Sequence, residues 1–289
     1  MGFIDAHTHL IFPRLIGSDV ERIKSELRDG FKAIDYENVK DVVKLMDELG
    51  MDYVVIMAYP ASIYGDASDL PLRVINVVKE YADRFAVFGG LDFQRINGKQ
   101  EALDSLERQY EAGISGIKLH PVHQWVKPNA YREEEGRIMV LETLYEFAVD
   151  NGLPVTIHTG TSAFSPARNK YGDPIFIDDV AVDFPRLQLI MAHAGRPIWM
   201  QTAFQLARIR SNIYLELSGI PPKRLLSYLP RIDELSNKSI YGSDIGSPGV
   251  KGLRENLEEF LSIDLPKNSL EAMTSINAKR LIKPLSAMH

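Results

Sequence analysis

Short apolar runs recur along the whole chain, and a stretch with helical spacing of its apolar positions follows most of them. The runs at 3–7, 53–57, 86–91, 116–120, 154–158, 187–193, 213–217 and 239–244 read as eight strands. Most are β-branched and nearly continuously apolar, the pattern of strands buried on both faces. Between them lie amphipathic segments. Over 35–50 the apolar positions Val39, Val42, Val43, Met46 and Leu49 follow i, i+3, i+4, i+7 spacing, and Gly50 stands where a left-handed C-cap residue belongs. Further helices are predicted over 72–82, 102–112, 138–151 and 197–210, with shorter ones near 175–183 and 222–235.

Eight alternations average about 36 residues per unit, close to what one strand, one helix and two loops require. No Gly/Ser/Pro-rich linker or charge block divides the chain, so a single α/β domain over residues 1–289, a closed (β/α)8 TIM barrel, is the expectation. A doubly wound open sheet would carry fewer strands and a glycine-rich first turn. The first turn here is Ala6-His7-Thr8-His9, which cradles no phosphate. Three connections are longer than a barrel needs: 10–34, 121–136 and 159–174, after strands one, four and five. All follow the C-terminal ends of strands, where barrel active sites are built, and so predict a roof over the mouth.

Composition narrows the function. Apolar residues make up 45% of the chain, ample for a packed core and against disorder. A net charge of −6 argues against a nucleic-acid partner, which calls for a positive field. Zero Cys excludes disulfides, iron–sulfur clusters, thiolate zinc and a Cys nucleophile, so any metal is held by His and carboxylate. No apolar run reaches the roughly 18 residues of a membrane span. Asp5 interrupts any signal core, and Ala6 stands where myristoylation needs Ser or Thr. A cytoplasmic protein without membrane attachment is expected.

The histidines carry the chemistry. His7 and His9 close strand one, His120 strand four, His158 strand five and His193 strand six, while Asp244 closes strand eight. In a barrel these ends share one mouth, and side chains two apart face the same way, so His7 and His9 can grip one ion together. Neutral imidazoles with a carboxylate suit zinc, or manganese or another first-row divalent ion, with a position left open for water or substrate. Such an ion lowers the pKa of bound water or polarises a substrate oxygen, and an unligated His then moves protons. His123 and His289 read as solvated. Lys118 shares a face with His120 and points into the barrel, where pairing with an inward carboxylate such as Asp5 or Asp92 is the plainer reading. Arg14, Arg168 and Arg196 lie in or beside mouth loops; Arg forks bind carboxylates at two points, which suggests a small anionic substrate. Tyr59, Trp125 and Phe164 could wall such a substrate.

At this point the pattern resembles a known family. Asp5-Ala6-His7-Thr8-His9 looks like the first-strand signature of the amidohydrolase superfamily. Gly116-Ile117-Lys118-Leu119-His120-Pro121, Thr156-Ile157-His158, Met191-Ala192-His193-Ala194-Gly195 and Tyr241-Gly242-Ser243-Asp244 resemble its fourth, fifth, sixth and eighth strand ends. Asn277-Ala278-Lys279-Arg280-Leu281 is similar to the helical tail of the amidohydrolase-related branch, which includes aminocarboxymuconate-semialdehyde decarboxylase-like enzymes. Carried over by position, the resemblance implies His7, His9, His158 and Asp244 as ligands of one divalent metal. It implies His193 as the unligated acid/base, with Asp244 able to share proton handling and His120 and Lys118 open to substrate contact. Binuclear relatives carry a carboxylated Lys on strand four that bridges two metals; Lys118, two residues before His120, lies deep for that task. The expected function is a metal-dependent hydrolase of a small carboxylic acid, lactone or amide, using metal-activated water. The alternatives are a nonoxidative decarboxylase of an aromatic or unsaturated carboxylic acid, a hydratase, and a non-catalytic metabolite-binding barrel. A homodimer is a further expectation from the resemblance.

Overall fold

In the computed structural model, eight parallel strands run in spatial order β1 to β8: β1 (Phe3–Thr8), β2 (Met51–Met57), β3 (Phe85–Gly89), β4 (Gly116–Leu119), β5 (Val155–His158), β6 (Leu189–Ala192), β7 (Ile213–Glu216) and β8 (Ser239–Ile240). The structure describes residues 2–10, 38–65, 67–247, 249–250 and 252–288. Although β8 is short, the segment after it closes the ring. The Ala6 N–H donates to Tyr241 O (3.1 Å), the Asp244 N–H to His7 O (2.9 Å) and the His9 N–H to Ile245 O (2.7 Å). The fold is the expected (β/α)8 barrel.

Burial on both faces explains the continuous apolar strands. Val54, Ile56, Val87, Ile117, Val155, Ile157, Leu189, Met191 and Leu215 join helix residues such as Val42, Met46, Leu106 and Leu144 in an outer core. The alternate positions, among them Ile4, Val55, Ala86, Phe88, Ile190, Tyr214 and Ile240, fill the barrel itself. Gly116 lies on this inner face, where a Cβ would meet the Phe88 ring at 2.4 Å; only glycine lets that ring occupy the centre.

Among the described residues the helices are α1 (Val39–Leu49), α2 (Leu70–Val78), α3 (Lys99–Glu111), α4 (Pro121–Gln124), α5 (Met139–Asp150), α6 (Phe176–Asp183), α7 (Met200–Ile209), α8 (Leu225–Tyr228), α9 (Leu253–Leu261), α10 (Lys267–Glu271) and α11 (Asn277–Leu281). Asn38 caps α1 by accepting the Asp41 N–H at 3.0 Å, and Gly50 adopts the predicted left-handed conformation with φ 65°. The helix predicted over 222–235 breaks into short pieces instead, because Pro230 forces Leu229 out of helical geometry (φ −127°, ψ 71°). Helix α9 was not anticipated, although Leu253, Leu257 and Phe260 form a readable buried stripe. No helix among the described residues is long and apolar enough to cross a membrane.

Five predicted strands overshoot at their C-terminal ends, since β3, β4, β6, β7 and β8 stop at Gly89, Leu119, Ala192, Glu216 and Ile240. The chain leaves the ladder where the candidate chemistry begins. His193 (φ 65°) and Asp244 (φ 62°) both adopt left-handed conformations, which are costly for residues with a side chain. Of the three long connections, 11–34 of the first lie outside the described residues.

Candidate metal centre and active site

The site starts from a shift in β1. Its register with β2 slips between Asp5 and Thr8, and Asp5 Oδ1 accepts the His7 and Ser243 N–H groups at 3.1 and 2.9 Å. That carboxylate ties β1 to the loop after β8 and sets His7 facing Asp244. Asp244 Oδ1 lies 3.7 Å from His7 Nε2 and 3.5 Å from His9 Nε2, so the two first-strand histidines converge as their spacing predicted. Asp244 Oδ2 lies 3.9 Å from His193 Nδ1 and 3.8 Å from an Arg196 terminal nitrogen. One donor atom each from His7, His193 and Asp244 falls within 4.8 Å of the others, a spacing that one ion can bridge.

Strand β7 orients two of these histidines. Glu216 Oε2 accepts from His7 Nδ1 at 2.8 Å and from Ser218 Oγ at 2.8 Å, while Oε1 takes the Ser218 N–H at 2.6 Å. Ser218 O lies 3.1 Å from His193 Nδ1, and Ser218 Oγ 3.0 Å from the same nitrogen. A carbonyl only accepts, so His193 carries its proton on Nδ1 and presents a lone pair on Nε2. The ionised Glu216 carboxylate likewise only accepts; in that state it holds the proton of His7 on Nδ1 and leaves Nε2, which has no hydrogen-bond partner, for an ion. Thr159 latches the turn that carries His193, since its Oγ1 donates to Ala192 O (2.6 Å) and accepts the Gly195 N–H (2.8 Å).

Burial sets the charge states. It drives His7, His120 and His158 well below the ordinary imidazole range, helped by neighbouring cations and histidines, so each is neutral as a ligand must be. Burial also lowers His193 to about 3 and His9 to about 4, against the opposing pull of Asp244. For Asp244, burial alone would raise the carboxyl, but His193, His9 and Arg196 overcome it and hold the group below its usual value. Lys118 is drawn down and Glu216 up, both by burial, and their mutual attraction opposes both shifts.

The opposite wall, β4 and β5, differs. His120 stacks between His123 and His158, with ring centroids 3.7 and 3.9 Å away, and Tyr59 stacks on it at 4.9 Å. Gln124 on α4 fixes the backbone beneath: its Oε1 accepts the His120 N–H, and its Nε2 donates to Pro60 O and Leu91 O. Both ring nitrogens of His158 lack a partner, as do His120 Nδ1, Thr156 Oγ1 and Lys118 Nζ, all buried. The His158 ring lies 4.7 Å from that of His193.

Several expectations change. His123 is not solvated: it is 8% exposed, with Nδ1 3.0 Å from Tyr59 Oη and Nε2 2.8 Å from Ser162 Oγ. Lys118 pairs with neither Asp5 nor Asp92. Asp5 Oδ1 serves two backbone amides, and Asp92 takes Ser62 Oγ and the Gln94 N–H. Arg196 reaches the site, whereas Arg168 is exposed and stacks on Trp125 at 4.6 Å. Arg14 and His289 lie outside the described residues. Sequence reasoning missed Glu216 and Ser218. The available signal was a carboxylate inside the apolar run Ile213-Tyr214-Leu215-Glu216-Leu217, in alternation with inward-facing Tyr214.

The amidohydrolase family profile (Amidohydro_2) matches residues 4–283, and the chain belongs to this family. It is an enzyme of a metal-dependent family. The structure resembles a TIM-barrel protein from Bordetella bronchiseptica, 24% identical, with 97% of this chain and 98% of that chain covered and a TM-score of 0.75. It also resembles 4-oxalomesaconate hydratase from Rhodopseudomonas palustris, 17% identical, with coverage of 99% and 97% and a TM-score of 0.66. A third likeness is to 5-carboxyvanillate decarboxylase from Novosphingobium aromaticivorans, solved with bound manganese, 14% identical, with coverage of 97% and 96% and a TM-score of 0.65. No curated protein matches the chain.

Proposed function

We propose that this enzyme is a metal-dependent hydrolase acting on a small anionic carboxylic acid, lactone or amide. One observation carries the reading: donor atoms of His7, His193 and Asp244 meet within 4.8 Å, and the buried His7 Nε2 there has no protein partner. Buried, neutral imidazoles beside an ionised carboxylate fit a divalent first-row ion, zinc before manganese. His7, His9, His158 and Asp244 are the residues to hold it. When bound, the ion supplies Lewis-acid chemistry, polarising a substrate oxygen and easing deprotonation of water.

The remaining steps belong to the chain itself. Glu216 holds the His7 ring in its ligating orientation. His193, its Nδ1–H engaged by Ser218, takes up and returns a proton at Nε2. Arg196, half-buried beside Asp244, binds an anionic group of the substrate at the rim.

The same Arg196 beside His193 favours a second reading, a nonoxidative decarboxylase: Arg196 holds the departing carboxylate, His193 Nε2 first takes up a proton from water or a substrate hydroxyl, and that proton passes to the carbon whose bond to CO2 breaks. The decarboxylase named above is consistent with it on the same fold. Metal analysis of protein purified without chelator tests the shared part, with one ion per chain expected and well under one overturning it. Acid release from a lactone panel then supports hydrolysis. Release of CO2 from aromatic and unsaturated dicarboxylates, abolished by His193→Asn, replaces it with the decarboxylase.

A further inference from the structure

Lys118 is 1% exposed, and its Nζ has no hydrogen-bond partner. It sits directly across from Thr156 in the β4–β5 register, and Thr156 Oγ1 is equally buried and equally unpartnered. Ile117, Leu119, Val155 and Ile157 belong to the outer core shared with the helices, so Lys118 and Thr156 point into the barrel. Two residues further along the same strands and faces come His120 and His158, whose unpartnered nitrogens were described above. Unpartnered polar atoms therefore run as a file from His120 and His158, of which one His158 nitrogen is proposed for the ion, back along the two strands to Lys118 and Thr156. Buried polar atoms are nearly always paired, and a buried amine without a partner is among the costliest exceptions. Natural cores keep such a group when something absent from the chain itself completes it.

The geometry points to a carboxylate subsite on the β4–β5 wall, in which Lys118 Nζ and Thr156 Oγ1 receive one carboxylate of the substrate at the barrel floor. A carboxylate supplies hydrogen-bond acceptors to both donors at once, which the more distant attraction of Glu216 and Asp244 for Lys118 does not. The subsite deepens the proposed function by fixing a carboxylate-bearing small molecule as its substrate class. Glu216, the inward carboxylate of β7, is already occupied by His7 and Ser218.

The test uses benzoate as probe, with benzamide as the uncharged control, on wild type and Lys118→Met, each metal-loaded and chelator-treated. Wild type is expected to gain melting temperature with benzoate but not with benzamide, in both metal states. Lys118→Met is expected to keep the metal stoichiometry of wild type, to melt higher than wild type without ligand, and to bind benzoate about 10–100-fold more weakly. Three outcomes would overturn the subsite: wild type indifferent to benzoate, undiminished benzoate binding in the variant, or a variant that melts lower or loses an ion. The chelator-treated arm separates the two proposals, because a failure to bind metal removes the proposed function while the benzoate response still decides the subsite.

Discussion

The two walls of the barrel mouth handle their buried polar groups in opposite ways. On the β7 side, Glu216 and Ser218 are consumed within the protein, and they fix the Nδ1 protons of His7 and His193. On the β4–β5 side, Lys118, Thr156, His120 and His158 keep unpartnered atoms in equally deep burial. A saturated network rigidifies and presents a site, whereas an unsaturated one is incomplete without its ligand. On the proposed reading, the β7 wall orients His7 and His193, and the β4–β5 wall, beyond the one His158 nitrogen proposed for the ion, is left for substrate.

The sharpest way to break this comparison is at Asp244, which touches His7, His9, His193 and Arg196. Asp244→Ala should lose the ion and all turnover, read by elemental analysis and activity on the same preparation. Next comes His193→Asn, expected to retain the metal and lose about 10²–10⁴-fold in turnover, as for removal of a general acid/base. Loss of the ion in this variant would make His193 a ligand. Glu216→Gln keeps the shape but can turn a donor toward His7 Nδ1. It should weaken metal affinity by about 10–100-fold in a calorimetric titration, as loss of a carboxylate behind a ligating histidine does. Unchanged affinity would remove the saturated wall from metal presentation.

The smallest effect is on stability against pH. Burial holds His123 down to about 3, from an unfolded value near 6.5. The unfolded chain therefore takes up protons first on acidification. The stability this group contributes is present above pH 6.5 and is lost as pH falls towards 3, by at most about 1.4 kcal/mol per pH unit. Melting curves of chelator-treated protein should fall between pH 7.5 and 5, and less steeply in His123→Gln, whose amide does not titrate. Parallel slopes in the two proteins would show that His123 does not contribute.

Much of this was legible in the chain. Strand count, strand order, the convergence of His7, His193 and Asp244, and the approach of His9 to Asp244 follow from periodicity, because a parallel barrel brings every strand's C-terminal end to one rim. Gly50 and the stripe of α1 were readable because helix ends are local chemistry. Glu216 was not, since a lone acidic residue in an apolar run declares its partner only when β7 lies beside β6 and β8. His123 was misread for a related reason: its burial comes from Tyr59 and Ser162, contributed by the loops after β2 and β5.

The sequence by itself determined the architecture and the inventory of side chains able to ligate a metal, because period and residue type are written locally. Only the tertiary structure decided which of those side chains are spoken for. Lys118 reads as an ordinary buried lysine until the places of Asp5, Asp92 and Glu216 are known, and pairing in space depends on contacts across the ring that no stretch of sequence contains.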